Sequence, residues 1–173
     1  MSNINNLRMG VCTVTYGGVS VGHTKGGVTF KYEPKFEDLM ADQYGETPID
    51  KVLTGENVTV EANLAEPQVT TLNIAMPAAA NTHGSSSERL AFGTDTGYSS
   101  RSDAKALVLH PVDRAATDYS EDITLYKAVA SDAVEIKYES DNQRVYAVTF
   151  TALVDETYGS GRRLGHIGST DVS

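Results

Sequence analysis

Hydrophobic and polar residues alternate with a period of two in several stretches of the chain. Between residues 28 and 33, Val28, Phe30 and Tyr32 fall on one side and Thr29, Lys31 and Glu33 on the other. Between 57 and 64, Val58, Val60, Ala62 and Leu64 oppose Asn57, Thr59, Glu61 and Asn63. Successive side chains of a strand point to opposite faces, so each stretch predicts a strand with one face on a core and one in water. The same alternation in Val134-Glu135-Ile136-Lys137-Tyr138-Glu139 predicts a strand over 133–139, and further β-favouring runs lie at 89–92, 105–110, 123–130 and 144–154. Residues 140–143 are the turn between the last two.

The breaks between these runs are equally legible. Val11 to Tyr16 and Val19 to Gly22 flank Gly17-Gly18, which predicts a tight hairpin, and Lys25-Gly26-Gly27 predicts a second turn. One segment has helical spacing. Pro67 suits a first helical turn, Val69, Leu72 and Met76 form a stripe, and Pro77 ends it. Residues 77–87 are small and polar, as in a flexible excursion. Residues 38–55 are a polar loop or β-arm of a length that is uncommon without a function. Residues 1–10 and 156–173 have the composition of flexible or extended arms. No internal repeat or linker divides the chain. The expectation is one domain over 1–173, mainly β: an antiparallel β-sandwich or barrel with one flanking α-helix.

Composition narrows the function. The 173 residues give room for a core. A formal net charge of -9 disfavours a surface that grips a phosphate backbone, because such binding depends on Lys and Arg releasing condensed counterions. The single cysteine, Cys12, forms no internal disulfide, and Met1 to Asn6 has neither a basic nor an apolar signal region. No apolar run approaches the roughly 20 residues that span a bilayer. Folding in a cytoplasm without membrane anchoring is expected.

No constellation in the sequence carries catalysis. Gly159-x-Gly161 lacks the flanking strand and helix of a phosphate-binding loop, and Ser85-Ser86-Ser87 has no nucleophile elbow around it. His23, His83, His110 and His166 lack ligand spacing and read as surface or turn residues. Asp118, Glu121 and Asp122 do not follow the EF-hand pattern and read as an exposed turn. The chain is expected to be no enzyme and to hold no cofactor or metal. Tyr44, beside Gly45 and Pro48 and flanked by Asp42 and Asp50, admits two readings: an interface anchor within a polar rim, or a ring folded back on its own sheet.

The order of several motifs resembles the tail tube proteins of tailed bacteriophages. These are Gly22 to Thr29 (Gly-x-Thr-Lys-Gly-Gly-Val-Thr), Asp42-Gln43-Tyr44-Gly45-Glu46-Thr47-Pro48-Ile49-Asp50, Thr54-Gly55-Glu56, Leu64-Ala65-Glu66, Arg144 to Phe150 and Leu153-Val154-Asp155. The resemblance spans most of residues 10–156, the stretch 77–120 apart. It leans toward the long-tailed, non-contractile type. It implies a structural subunit of the virion tail, assembled in the host cytoplasm as hexameric rings stacked into a tube. Tail tip, tape measure and terminator proteins would be its partners, and DNA would pass without specific binding. The long loop, with Asp42, Gln43, Tyr44, Gly45, Thr47, Pro48, Ile49 and Asp50, would reach an adjoining subunit or ring. The polar strand faces, with Thr29, Glu33, Thr59, Glu61 and Asn63, are the candidates for the lumen, with Lys31 to be offset by neighbouring carboxylates. Two rivals remain: the tube of a contractile injection device, and a carbohydrate-binding β-sandwich, which the absence of Trp disfavours.

Overall fold

A computed structural model of the chain describes residues 10–66, 68–83, 88–131, 133–136, 144–159, 161 and 163–169. The protein is mainly β, and its described residues form ten strands and one α-helix in the order β1 (Cys12–Tyr16), β2 (Val19–Ser20), β3 (Thr24–Leu39), β4 (Asp50–Leu64), α1 (Val69–Ala75), β5 (Ala80–His83), β6 (Glu88–Ala91), β7 (Lys105–Pro111), β8 (Ile123–Ala130), β9 (Tyr146–Ala152) and β10 (Gly165–Ile167). An antiparallel sheet runs β2-β1-β7-β8-β9-β4-β3, with β10 added to β8, and β5–β6 form a separate hairpin.

The sheet curls over a single core. Tyr16 on β1 and Phe150 on β9 are three strands apart in this order, about 14 Å on a flat sheet, yet their ring centroids are 5.4 Å apart. The fold-over lies at β8. Its first half pairs with β7 on one side and β10 on the other, while only Ala128 to Ala130 pair with β9 before β9 leaves to pair with β4. The arrangement is compatible with a β-sandwich carrying a flanking helix. Phe150, Leu64, Leu107 and Val60 are fully enclosed. The Tyr16 hydroxyl, brought into this interior, donates to the carbonyl oxygens of Ala128 at 3.0 Å and Asp103 at 3.2 Å, and burial raises its pKa.

The β1–β2 hairpin forms as its glycines predict. Gly17 and Gly18 have φ of 60° and 81°, the pair of positive values that a two-residue type I′ turn needs. Other expectations need correction. Lys25-Gly26-Gly27 is no turn: β3 continues through it, with a register shift between Thr24 and Val28. Residues 133–136 are not in a strand, although Val134 and Ile136 still pack against the core, and 137–143 lie outside the described residues. Alternation there reflects which side chains are buried, without a neighbouring strand to complete a ladder.

Helix α1 is shorter than its pattern and buries a different face. Thr71 and Ala75 are buried and Leu72 and Ile74 pack on the core, whereas Val69 and Met76 are only half-buried. Its sequence, VTTLNIA, has poor intrinsic helicity, so packing decides which face turns inward. Pro67, residues 1–9 and the Ser85–Ser87 run lie outside the described residues.

The expected C-terminal arm folds back: Gly165, His166 and Ile167 pair with Leu125, Thr124 and Ile123. A Cβ on Gly165 would lie 2.2 Å from the Thr124 carbonyl oxygen, so this close pairing requires glycine. Tyr126 clamps the same segment, stacked on Tyr158 at 3.6 Å and bonded through its hydroxyl to His166 Nδ1 at 3.1 Å.

Candidate functional site

Strands β3 and β4 form a hairpin much longer than the sheet beside it. Their ladder runs from Thr24↔Leu64 to Leu39↔Asp50, while β9 covers only Thr59 to Leu64 of β4. The remainder projects as a two-stranded arm. The segment 38–55 is therefore strand at both ends, and the connection proper is 40–49, closed by a 3-10 turn at Asp42–Tyr44 and a bond from the Ile49 amide to the Leu39 carbonyl at 2.8 Å. Asp42, Gln43, Tyr44, Gly45, Thr47, Pro48 and Ile49 lie at the tip, Asp50 opens β4, and all are exposed. The Tyr44 ring is 67% exposed and is not folded back on its own sheet.

The arm presents more apolar surface than the sequence reading assigned to it. Phe36, Leu39, Met40, Val52 and Leu53 are each about half exposed. A bulge creates part of this surface. Lys35 pairs with Gly55 but Phe36 pairs with Leu53, so Thr54 is the extra residue. In an unbulged ladder Thr54 would pair with Phe36 and Leu53 would share the face of Gly55, Asn57 and Thr59; with Thr54 bulged out, Leu53 stands opposite Phe36, on the side that continues the core face of Val58 and Val60. Next along, Asp38 and Lys51 are opposed and form an ion pair at 2.8 Å. An isolated two-stranded ribbon is marginal in water, and exposed apolar residues on it mark a surface that a partner covers.

The second candidate surface is the outer face of β3, β4 and β9. Thr29 opposes Glu61, which opposes Thr149; Lys31 opposes Thr59, which opposes Thr151; Glu33 opposes Asn57. Asn63 follows two residues beyond Glu61, opposite Ala147. The register thus brings Thr29, Glu33, Thr59, Glu61 and Asn63 onto one polar face. Lys31 is neutralised within it. Its ammonium lies 2.7 Å from Glu33, whose hydrogen bond and charge raise the Lys31 pKa, with a smaller contribution from Glu61. The same pair lowers the Glu33 pKa. Lys35, two residues beyond Glu33 on the same face, also lowers the Glu33 pKa, so two carboxylates meet two ammonium groups and the patch carries no net charge.

The remaining chemical candidates are structural. Asp118 and Glu121 both bind Arg114, the former at 3.2 Å. Asp122 is not exposed as expected: it is 4% exposed and bonded to His110 Nδ1 at 2.7 Å. His110 is accordingly a partly buried residue of β7, neither surface nor turn, while His23 is exposed and the His83 side chain lies outside the described residues. Among the described residues, no group of His, Cys, Asp and Glu is arranged to hold a metal, and no helix is long and apolar enough to cross a membrane. No protein-family model matches the chain, and a search of the curated proteins finds no match.

Proposed function

We propose that this chain is a self-assembling structural subunit, the repeating unit of a phage tail tube, and that it carries no catalytic site. The observation that supports this most is the projecting β3–β4 arm, with Phe36, Leu39, Met40, Tyr44, Ile49 and Leu53 exposed along it. A soluble monomer gains nothing from so much apolar surface on a thin ribbon. A subunit that inserts the ribbon against a copy of itself recovers the hydrophobic free energy. Head-to-tail contacts of this kind are heterologous and propagate without an intrinsic end, which is the symmetry of a tube.

The polar face of β3, β4 and β9 is the candidate lumen in this reading. Thr, Asn and as many carboxylates as lysines form a surface with no net positive charge for a phosphate backbone to grip, and rotational repetition of the subunit preserves that balance. The test is negative-stain electron microscopy of the purified protein at high concentration, with and without tail-tip or tube fragments as seeds. Tubes of uniform diameter are expected in at least the seeded sample. Persistent monomers in both would refute the reading.

A further inference from the structure

Two hollows with mainly apolar linings open on the described surface. One, about 650 Å³, lies between the end of α1, the exposed Phe92 and the end of β8, and Asp95 is the one charged residue of its lining. The other, about 370 Å³, lies where the base of the arm faces β8 and β10, floored by Phe30, Val58, Leu125 and Leu164. Arg163 stands exposed in its lining and is paired with no carboxylate among the described residues. Glu56, also in the lining, is engaged by the Tyr32 hydroxyl at 2.7 Å.

An apolar groove with a free guanidinium at its rim suits an apolar segment flanked by carboxylates. The tip of the arm has that composition. Leu39, Met40, Tyr44 and Ile49 are exposed, and residues 37–50 contain Glu37, Asp38, Asp42, Glu46 and Asp50 but no Lys or Arg. The tip cannot occupy the groove of its own chain. The paired strands from Tyr32↔Val58 to Leu39↔Asp50 hold it seven residues away, about 23 Å along the ribbon. The occupant is therefore a second molecule.

We propose that the groove between the arm base and β10 receives the arm tip of a second copy of this chain, with Tyr44 seated against Phe30, Leu125 and Leu164 and the tip carboxylates facing Arg163. This deepens the self-assembly reading and rests on it. It also gives a role to β10: by pairing with β8 it supplies Leu164 and Arg163 to the groove. The hollow beside Phe92 is the competing receptor, and Asp95 there would repel the acidic tip.

Cysteine cross-linking of the full chain on a Cys12→Ser background tests this. Sedimentation velocity first establishes whether the parent protein associates, alone and with tube-fragment seeds. Chains carrying Met40→Cys are then mixed with chains carrying Ile167→Cys, and separately with chains carrying Phe92→Cys, under mild oxidation. Intermolecular disulfides are identified by mass spectrometry. The expected result is a Met40–Ile167 cross-link at several times the yield of Met40–Phe92. Adding Arg163→Glu to the groove chain should weaken association roughly tenfold, and Asp42→Lys in the tip chain should restore it. Cross-linking to Phe92 instead, or no cross-link in material that does associate, would overturn the groove and leave self-assembly standing. A parent protein that stays monomeric with and without seeds would overturn both.

Discussion

Tyr44→Ala removes the most exposed aromatic of the arm, at 67% relative exposure. A fully covered aromatic side chain accounts for roughly 200 Å². About two thirds of that, some 130 Å², remains to be buried in an interface, worth about 3 kcal/mol at ~25 cal/mol per Å². Ordering the ring costs about 1 kcal/mol, leaving about 2 kcal/mol per contact, or roughly 30-fold in the dissociation constant. The effect on the folded subunit is of another size. An exposed side chain that makes no core contact changes stability by about 0.5 kcal/mol at most, which shifts the melting temperature by roughly 2 °C. Phe150→Ala is the contrast: that ring is fully buried against Tyr16, and its loss costs about 3–5 kcal/mol. Circular dichroism melts and sedimentation velocity over a concentration series separate the two. Tyr44→Ala should melt like the parent and associate about 30-fold more weakly. A Tyr44→Ala protein that melts as early as Phe150→Ala, or associates like the parent, would refute the assignment of the arm to an interface.

Leu53→Lys sets a charge opposite Phe36 on the apolar side of the arm, so the core should melt normally while association falls, as the same sedimentation series would show. Gly165→Ala sets a methyl against the Thr124 carbonyl and should detach β10, costing about 1–3 kcal/mol and exposing the β8 amides around Leu125 to hydrogen exchange. The Asp155 carboxyl is held below the usual carboxylate range first by the Thr157 amide, then by the Thr157 hydroxyl and the Lys127 ammonium at 3.1 Å. It therefore binds a proton more readily unfolded than folded; its stabilisation is complete above the unfolded value of about 4 and is lost as pH falls through the lower folded value. Urea midpoints below pH 5 should decline less steeply in Asp155→Asn than in the parent. On the proposed tube reading, Glu61→Lys should leave assembly intact but slow genome ejection, and normal ejection kinetics through a tube carrying the inward lysines would show that lumen charge does not govern passage.

Local periodicity was enough to identify the strand faces. Val58, Val60, Ala62 and Leu64 are buried and Thr59, Glu61 and Asn63 point away, as their alternation required, because a strand's side-chain period is fixed by its backbone. Gly17-Gly18 likewise specified its own turn, since few other residues adopt both positive φ values. The helix was legible only as a location. With so little intrinsic helicity, its inward face depended on what α1 packs against, and Thr71 and Ala75 took the positions expected of Val69 and Met76. The arm was legible as an unusual length, with Tyr44 at its tip. That its ends are paired strands, and that Thr54 bulges to set Leu53 opposite Phe36, is decided by register between residues far apart in sequence. The groove was illegible. Phe30 and Leu164 carry no common motif, and they meet because the sheet folds over at β8 and Gly165 lets the last described strand approach it. Sequence determined which side chains face a core; tertiary structure decided which strands share it, because pairing between distant strands is chosen by the whole curled sheet at once.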